Sequence, residues 1–224
     1  MRHAFSLTGV LPLGIFLAAH LAMNARALGG GPRFADAVRA VQAVPALPLV
    51  EALFVFAPLV FHGTLGVWLI CARKSLDPPA PYPPSLRAAM RLTAVAVLAF
   101  LAIHLPELRF HSPGARLDAG ELATVLDADL SATSHGVPWR GLAYLVGTAC
   151  VTFHFVCGLW GWFATTQAGR ARPRGRRWAA WGAAIAGAAM WLTFANVVVL
   201  RATGARLFGR PDVETAGDCP ESTP

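Results

Sequence analysis

Charge is what this sequence lacks most. Only 14% of its 224 residues are Asp, Glu, Lys or Arg, against about 25% in an ordinary soluble domain. The 55% that are hydrophobic gather in long runs rather than spreading at a period of 2 or 3.6. A soluble globular domain is excluded on both counts. The net charge of +7 would suit a nucleic-acid partner if the bases covered one surface. They sit instead at the ends of the apolar runs, where they read as topology signals, so no nucleic acid is expected. Cysteine is scarce and unpatterned. Cys71, Cys150, Cys157 and Cys219 form no CxxC, which excludes a zinc knuckle or a thioredoxin-type site. No CxxCH occurs, so covalent haem attachment is excluded as well. Cys150 and Cys157 fall inside one apolar run and read as small packing residues. No Gly-rich nucleotide loop, iron–sulfur cysteine spacing or internal repeat is present.

Long apolar runs are there in quantity. They cover about Leu7 to Leu28, Leu47 to Cys71, Leu86 to Leu105, Gly141 to Thr166 and Trp178 to Leu200. Each is near the roughly 20 residues that cross a bilayer core as helix, and helix is required where lipid offers backbone groups no partner. The expected fold is therefore all-α: an integral membrane bundle of five transmembrane helices over residues 1–205, with a polar tail at 206–224 expected to be disordered. Pro12 and Pro58 should kink their helices. The cluster Asp77-Pro78-Pro79-Ala80-Pro81-Tyr82-Pro83-Pro84 reads as a stiff surface linker. In the polar insertion from Pro106 to Trp139, Leu117, Leu122, Val125, Leu126 and Leu130 alternate with acids in the spacing of an amphipathic surface helix. Arg2 followed by an apolar stretch and Ala25-Arg26-Ala27 imitates a cleaved signal peptide. The run is longer than such peptides carry and holds Pro12 and His20, so a retained helix is expected. Arg2 and His3, then Arg73, Lys74, Arg87 and Arg91, then Arg170, Arg172, Arg174, Arg176 and Arg177 fall on one side. Arg26, Arg33, Arg39, Arg109, Arg116 and Arg140 fall on the other, diluted by acids. The N-terminus is expected in the cytoplasm.

Ionisable residues inside a membrane are costly and point to function. His20, His62, His104 and His154 fall one on each of the first four helices. A lone intramembrane histidine can simply bond a neighbouring carbonyl, but that explanation does not suit four in succession. At about 1.5 Å per residue, His20 lies roughly 9 Å and His104 roughly 5–8 Å from the outer margin. His62 and His154 lie deeper, at roughly 17 and 21 Å. The two depth pairs differ by about 10 Å. Two neutral imidazoles facing each other across a bundle suit a six-coordinate haem iron. Zinc would want carboxylate or thiolate company. Two b haems are therefore expected, with His20 and His104 on the outer iron and His62 and His154 on the inner one. Gly147, Gly158 and Gly161 on the fourth helix, and Gly63 and Gly66 on the second, suit a flat cofactor and close helix packing equally. His3 and His111 lie near surfaces, and His135 reads as a solvated loop residue.

Four segments carry a resemblance. They are Ser6-Leu7-Thr8-Gly9-Val10-Leu11-Pro12 through His20 to Asn24; Glu51 through Pro58-Leu59-Val60-Phe61-His62 to Gly66-Val67; Arg91-Leu92-Thr93 through His104; and Phe153-His154-Phe155 with Gly158-Leu159-Trp160. In these the chain resembles the five-helix, dihaem cytochrome b membrane-anchor subunit of succinate:menaquinone oxidoreductase and fumarate reductase. The resemblance implies a bacterial cytoplasmic-membrane protein with a flavoprotein subunit (FAD) and an iron–sulfur subunit docked on its cytoplasmic face. It also implies electron transfer between those clusters and menaquinone. Some relatives carry a glutamate beside the fourth-helix histidine, and Val151, Thr152 and Phe153 supply none here. Ala94 stands where the family often has glycine.

Further site residues follow from where the haems would lie. Haem propionates at the cytoplasmic edge need donors, and Ser6, Arg87 and Arg91 are placed to supply them. Glu51, at the outer start of the second helix, is the candidate for proton exchange with a quinone. The competing readings are a dihaem anchor of formate dehydrogenase or hydrogenase type, and a non-redox transporter. A transporter needs coupling-ion residues at the midplane, where this chain has only histidines.

Overall fold

The computed structural model describes residues 2–72, 82–109, 117–166 and 173–208. Arg73, Lys74, most of the proline cluster, His111, Arg116, Arg170, Arg172, Cys219 and the tail from 209 onward lie outside the described residues. The described chain is helical apart from loops and one isolated bridge, Ser134 to Val137. It has five helices long and apolar enough to cross a membrane: Phe5–Gly29, Leu47–Cys71, Pro84–Leu108, Trp139–Thr165 and Arg174–Thr203.

The first span is broken where proline dictates. Helix α1 (Arg2–Val10) gives way at Leu11 to α2 (Pro12–Ala25), because a ring at position 12 can neither donate to nor fit beneath the preceding turn. The second span starts as α4 (Leu47–Glu51), widens into a π-turn at Ala52–Phe56 and continues as α5 (Ala57–Cys71). Pro58 lies directly after the wide turn, which absorbs the hydrogen bond that its missing N–H cannot make. Helices α6 (Pro84–Leu108), α8 (Trp139–Thr165) and α9 (Pro173–Thr203) are the other spans. Helix α8 is central and packs against α1, α6 and α9.

Two shorter helices close one end of the bundle. The amphipathic helix expected in the polar insertion is α7 (Ala119–Ser131), started by a capping box between Asp118 and Glu121. The other, α3 (Gly31–Gln42), was not anticipated, although Phe34, Val38 and Val41 repeat at helical spacing behind Pro32. Phe34 and Val38 are buried with Ala27, Ala119, Leu126 and Val197 in one cluster. Helices α8 and α9 bury residues as well, whereas α5 and α6 bury none. Their apolar outer faces suit lipid, and their inner faces line a cavity.

Candidate functional site

That cavity has a volume of about 810 Å³ and is lined by all four intramembrane histidines. Ser6, Arg87 and Arg91 line it as well, as do Glu51 and Arg109 from the other ends of their helices.

The histidines stand in two pairs. The rings of His20 and His104 are 5.9 Å apart between centres and nearly perpendicular, at 86°. Those of His62 and His154 are 6.3 Å apart, also at 86°. Helices α2 and α6 supply one pair and α5 and α8 the other, which is how depth along the helices groups them. Each pair has its own packing. Phe16 stacks on His20 and Phe100 on His104, each from one turn earlier in the same helix, with ring centres 5.4 and 5.3 Å apart. This Phe-x-x-x-His spacing is visible in the sequence and passed unnoticed there. In the other pair, Phe5 of α1 lies flat on His62 at 4.4 Å and 3°.

Several ring nitrogens are held from behind. His62 Nδ1 donates to the Phe5 carbonyl at 3.2 Å. His104 Nδ1 lies 3.3 Å from the Tyr144 hydroxyl. Asn24 donates to the His20 carbonyl at 2.9 Å and approaches Nε2 of that ring at 3.4 Å. The Met90 carbonyl faces His154, but Nδ1 of His154 is buried with no hydrogen-bond partner among the described residues. Such second-shell contacts orient imidazoles that bind metals.

Two glycines let the rings sit where they do. A Cβ on Gly9 would lie 2.6 Å from the His62 ring, and one on Gly147 would lie 2.3 Å from Phe100, the ring that stacks on His104. Gly161 gives the same room to Tyr82.

The donor set fits a haem. A metal midway between either ring pair would lie about 3 Å from each ring centre, which is a nitrogen–metal bond of about 2 Å plus the radius of the ring. Among the described residues no three His, Cys, Asp or Glu side chains gather to hold a bare ion. Pairs of imidazoles suit a metal that brings its remaining ligands with it, as haem iron does.

The other expected site residues are placed as follows. Arg87 is exposed at the cavity edge and donates to the Tyr82 carbonyl at 3.1 Å. Arg91, one turn on, is also exposed at the edge. Glu51 is in an ion pair: Arg109 reaches its Oε2 through Nε at 3.1 Å and Nη2 at 2.7 Å. Arg109 thus holds Glu51, beyond the role of a topology charge. His135 lies exposed in a turn with φ of 53°.

The fold and the site together define a multi-pass, all-helical membrane protein with two pairs of apposed histidines in its interior. The sequence is 30% identical over 177 residues to the succinate dehydrogenase cytochrome b558 subunit of Bacillus subtilis (strain 168), covering 79% of this chain and 83% of that relative. No family model and no solved structure matches the chain. The chain belongs to the family of succinate dehydrogenase cytochrome b membrane subunits.

Proposed function

We propose that the chain carries electrons between the iron–sulfur subunit of a succinate dehydrogenase or fumarate reductase and menaquinone, through two b haems. The observation that carries this reading is the pairing of the four intramembrane histidines, with ring centres 5.9 and 6.3 Å apart. His20 and His104 would hold the outer haem, and His62 and His154 the inner one. The haems would supply one-electron redox centres inside a membrane that electrons must otherwise cross unaided.

What the chain itself contributes is position and a dry setting. Phe16, Phe100 and Phe5 clamp three of the rings. The Phe5 carbonyl accepts from His62 Nδ1, which would leave Nε2 to hold the iron. Ser6, Arg87 and Arg91, at the cytoplasmic end in the proposed orientation, would hold inner-haem propionates. The flavoprotein and iron–sulfur subunits would dock on that face, with the N-terminus in the cytoplasm and the chain in a bacterial inner membrane. Glu51 would exchange protons with the quinone at the opposite end. Family membership weighs against a formate dehydrogenase or hydrogenase anchor and against a transporter.

Pyridine haemochrome analysis of the purified protein tests the reading directly. About two b haems per chain are expected. A content near zero would overturn it, and one haem per chain would mean that one pair is not a ligand pair.

A further inference from the structure

His104 differs from the other three histidines in reaching a side-chain hydroxyl. Tyr144, on α8, lies almost fully buried, with its Oη 3.3 Å from His104 Nδ1. Its ring meets Phe100 edge-on at 5.2 Å, so the phenol is packed in place. Glu107 follows His104 by three residues on α6 and is itself tied to Arg140, one turn before Tyr144 on α8. Arg140 continues to Asp129 of α7 at 3.6 Å. Polar groups thus cluster between this imidazole and the bundle end that α7 closes.

We propose that Tyr144 is a positioning residue for His104 that lowers the reduction potential of the iron bound there. The proposal rests on the reading of His20 and His104 as ligands of one haem. A neutral imidazole bound through one nitrogen carries its proton on the other. With Nε2 given to a metal, the Nδ1 proton of His104 needs an acceptor, and the Tyr144 oxygen is the one in reach. The phenol's own proton then points away from the imidazole. Accepting from Nδ1–H moves electron density onto the imidazole and makes it a more basic ligand. A more basic ligand favours the oxidised iron and so lowers the potential. His62 has a peptide carbonyl rather than a side-chain hydroxyl in the corresponding place. The device therefore belongs to the outer pair.

The test is a redox titration of wild-type and Tyr144→Phe protein, each first assayed for haem. Tyr144→Phe keeps the ring and its packing and removes only the hydroxyl. The expected result is two haems per chain, the outer haem's midpoint moved to a more positive potential, and the inner haem's midpoint unmoved. The low-spin ferric electron paramagnetic resonance signal of the outer haem should change with it. Tyr144→Leu also lacks the hydroxyl, so it should move the same midpoint in the same direction. It also serves if Tyr144→Phe fails to assemble. Two haems with an unmoved outer midpoint in either variant would overturn the proposal, as would equal shifts of both haems. Wild-type protein without haem would instead overturn the haem reading, and this inference with it.

Discussion

A histidine in the middle of an apolar helix is expensive unless something inside the bundle uses it, and each of these four faces another histidine across the cavity. On the proposed haem reading, the pairing makes ligand loss specific. His20→Ala and His104→Ala should remove the same component from the reduced-minus-oxidised spectrum, and His62→Ala and His154→Ala the other. If His20→Ala and His62→Ala removed one component in common while sparing the other, the pairing would be wrong. At this scale the sequence was highly legible: residue type, apolar context and depth along a helix were enough to group the four rings. The partners behind them were not legible, because Tyr144 is 40 residues from His104 and the Phe5 carbonyl is 57 from His62. Sequence spacing carries no signal for contacts between helices whose relative rotation is unknown.

Helices approach where a side chain is missing. Gly147 of α8 accepts the Phe100 ring of α6, leaving a substituent no room, since a Cβ there would lie 2.3 to 2.7 Å from three ring atoms. Gly147→Ala must therefore push back Phe100 and, with it, the ring stacked on His104. Overpacking of this kind costs about 1–3 kcal/mol. The spectral component lost in His104→Ala should weaken or shift first, and the thermal midpoint in detergent should fall. Gly182→Ala on α9 is the control, because nothing lies within 4 Å of its Cβ position. There the better helix propensity of alanine should leave the midpoint unchanged or raise it slightly. A Gly147→Ala protein with a wild-type spectrum and midpoint would show that Phe100 does not need its present place. The five long helices and α7 were readable because length, hydropathy and a capping pattern each act locally. Helix α3 was passed over although its signal is local too: Phe34 and Val38 are one turn apart and both buried. Its twelve residues mix apolar with charged and polar positions, so the reading of long runs hid a short amphipathic helix between two of them.

Across the whole molecule, one cavity is lined by Ser6, Arg87 and Arg91 at one end and by Glu51 and Arg109 at the other, with both histidine pairs between them. Two redox centres in series are needed only if electrons travel most of the membrane's thickness. An electron entering beside Arg91 would therefore leave near the pair His20 and His104, and a quinone reacting there must exchange protons with water. Glu51 is suited to that by position. It heads the second span beside the π-turn, its side chain is one-fifth exposed, and it lines the cavity. The ion pair with Arg109 sharpens the expectation rather than removing it, since both guanidinium bonds go to Oε2 and hold the carboxylate aimed at the cavity wall. Glu51→Gln preserves shape and a hydrogen-bonding oxygen for Arg109 but cannot carry a proton. Haem content should stay at two per chain. Succinate oxidation with an artificial acceptor at the flavin should be untouched. Quinone-linked turnover should fall by on the order of 10²-fold, the contribution typical of a positioned acid–base group. Wild-type quinone-linked turnover in Glu51→Gln, with both haems present, would reduce Glu51 to the partner that anchors Arg109 and would place the proton exchange elsewhere on the cavity wall.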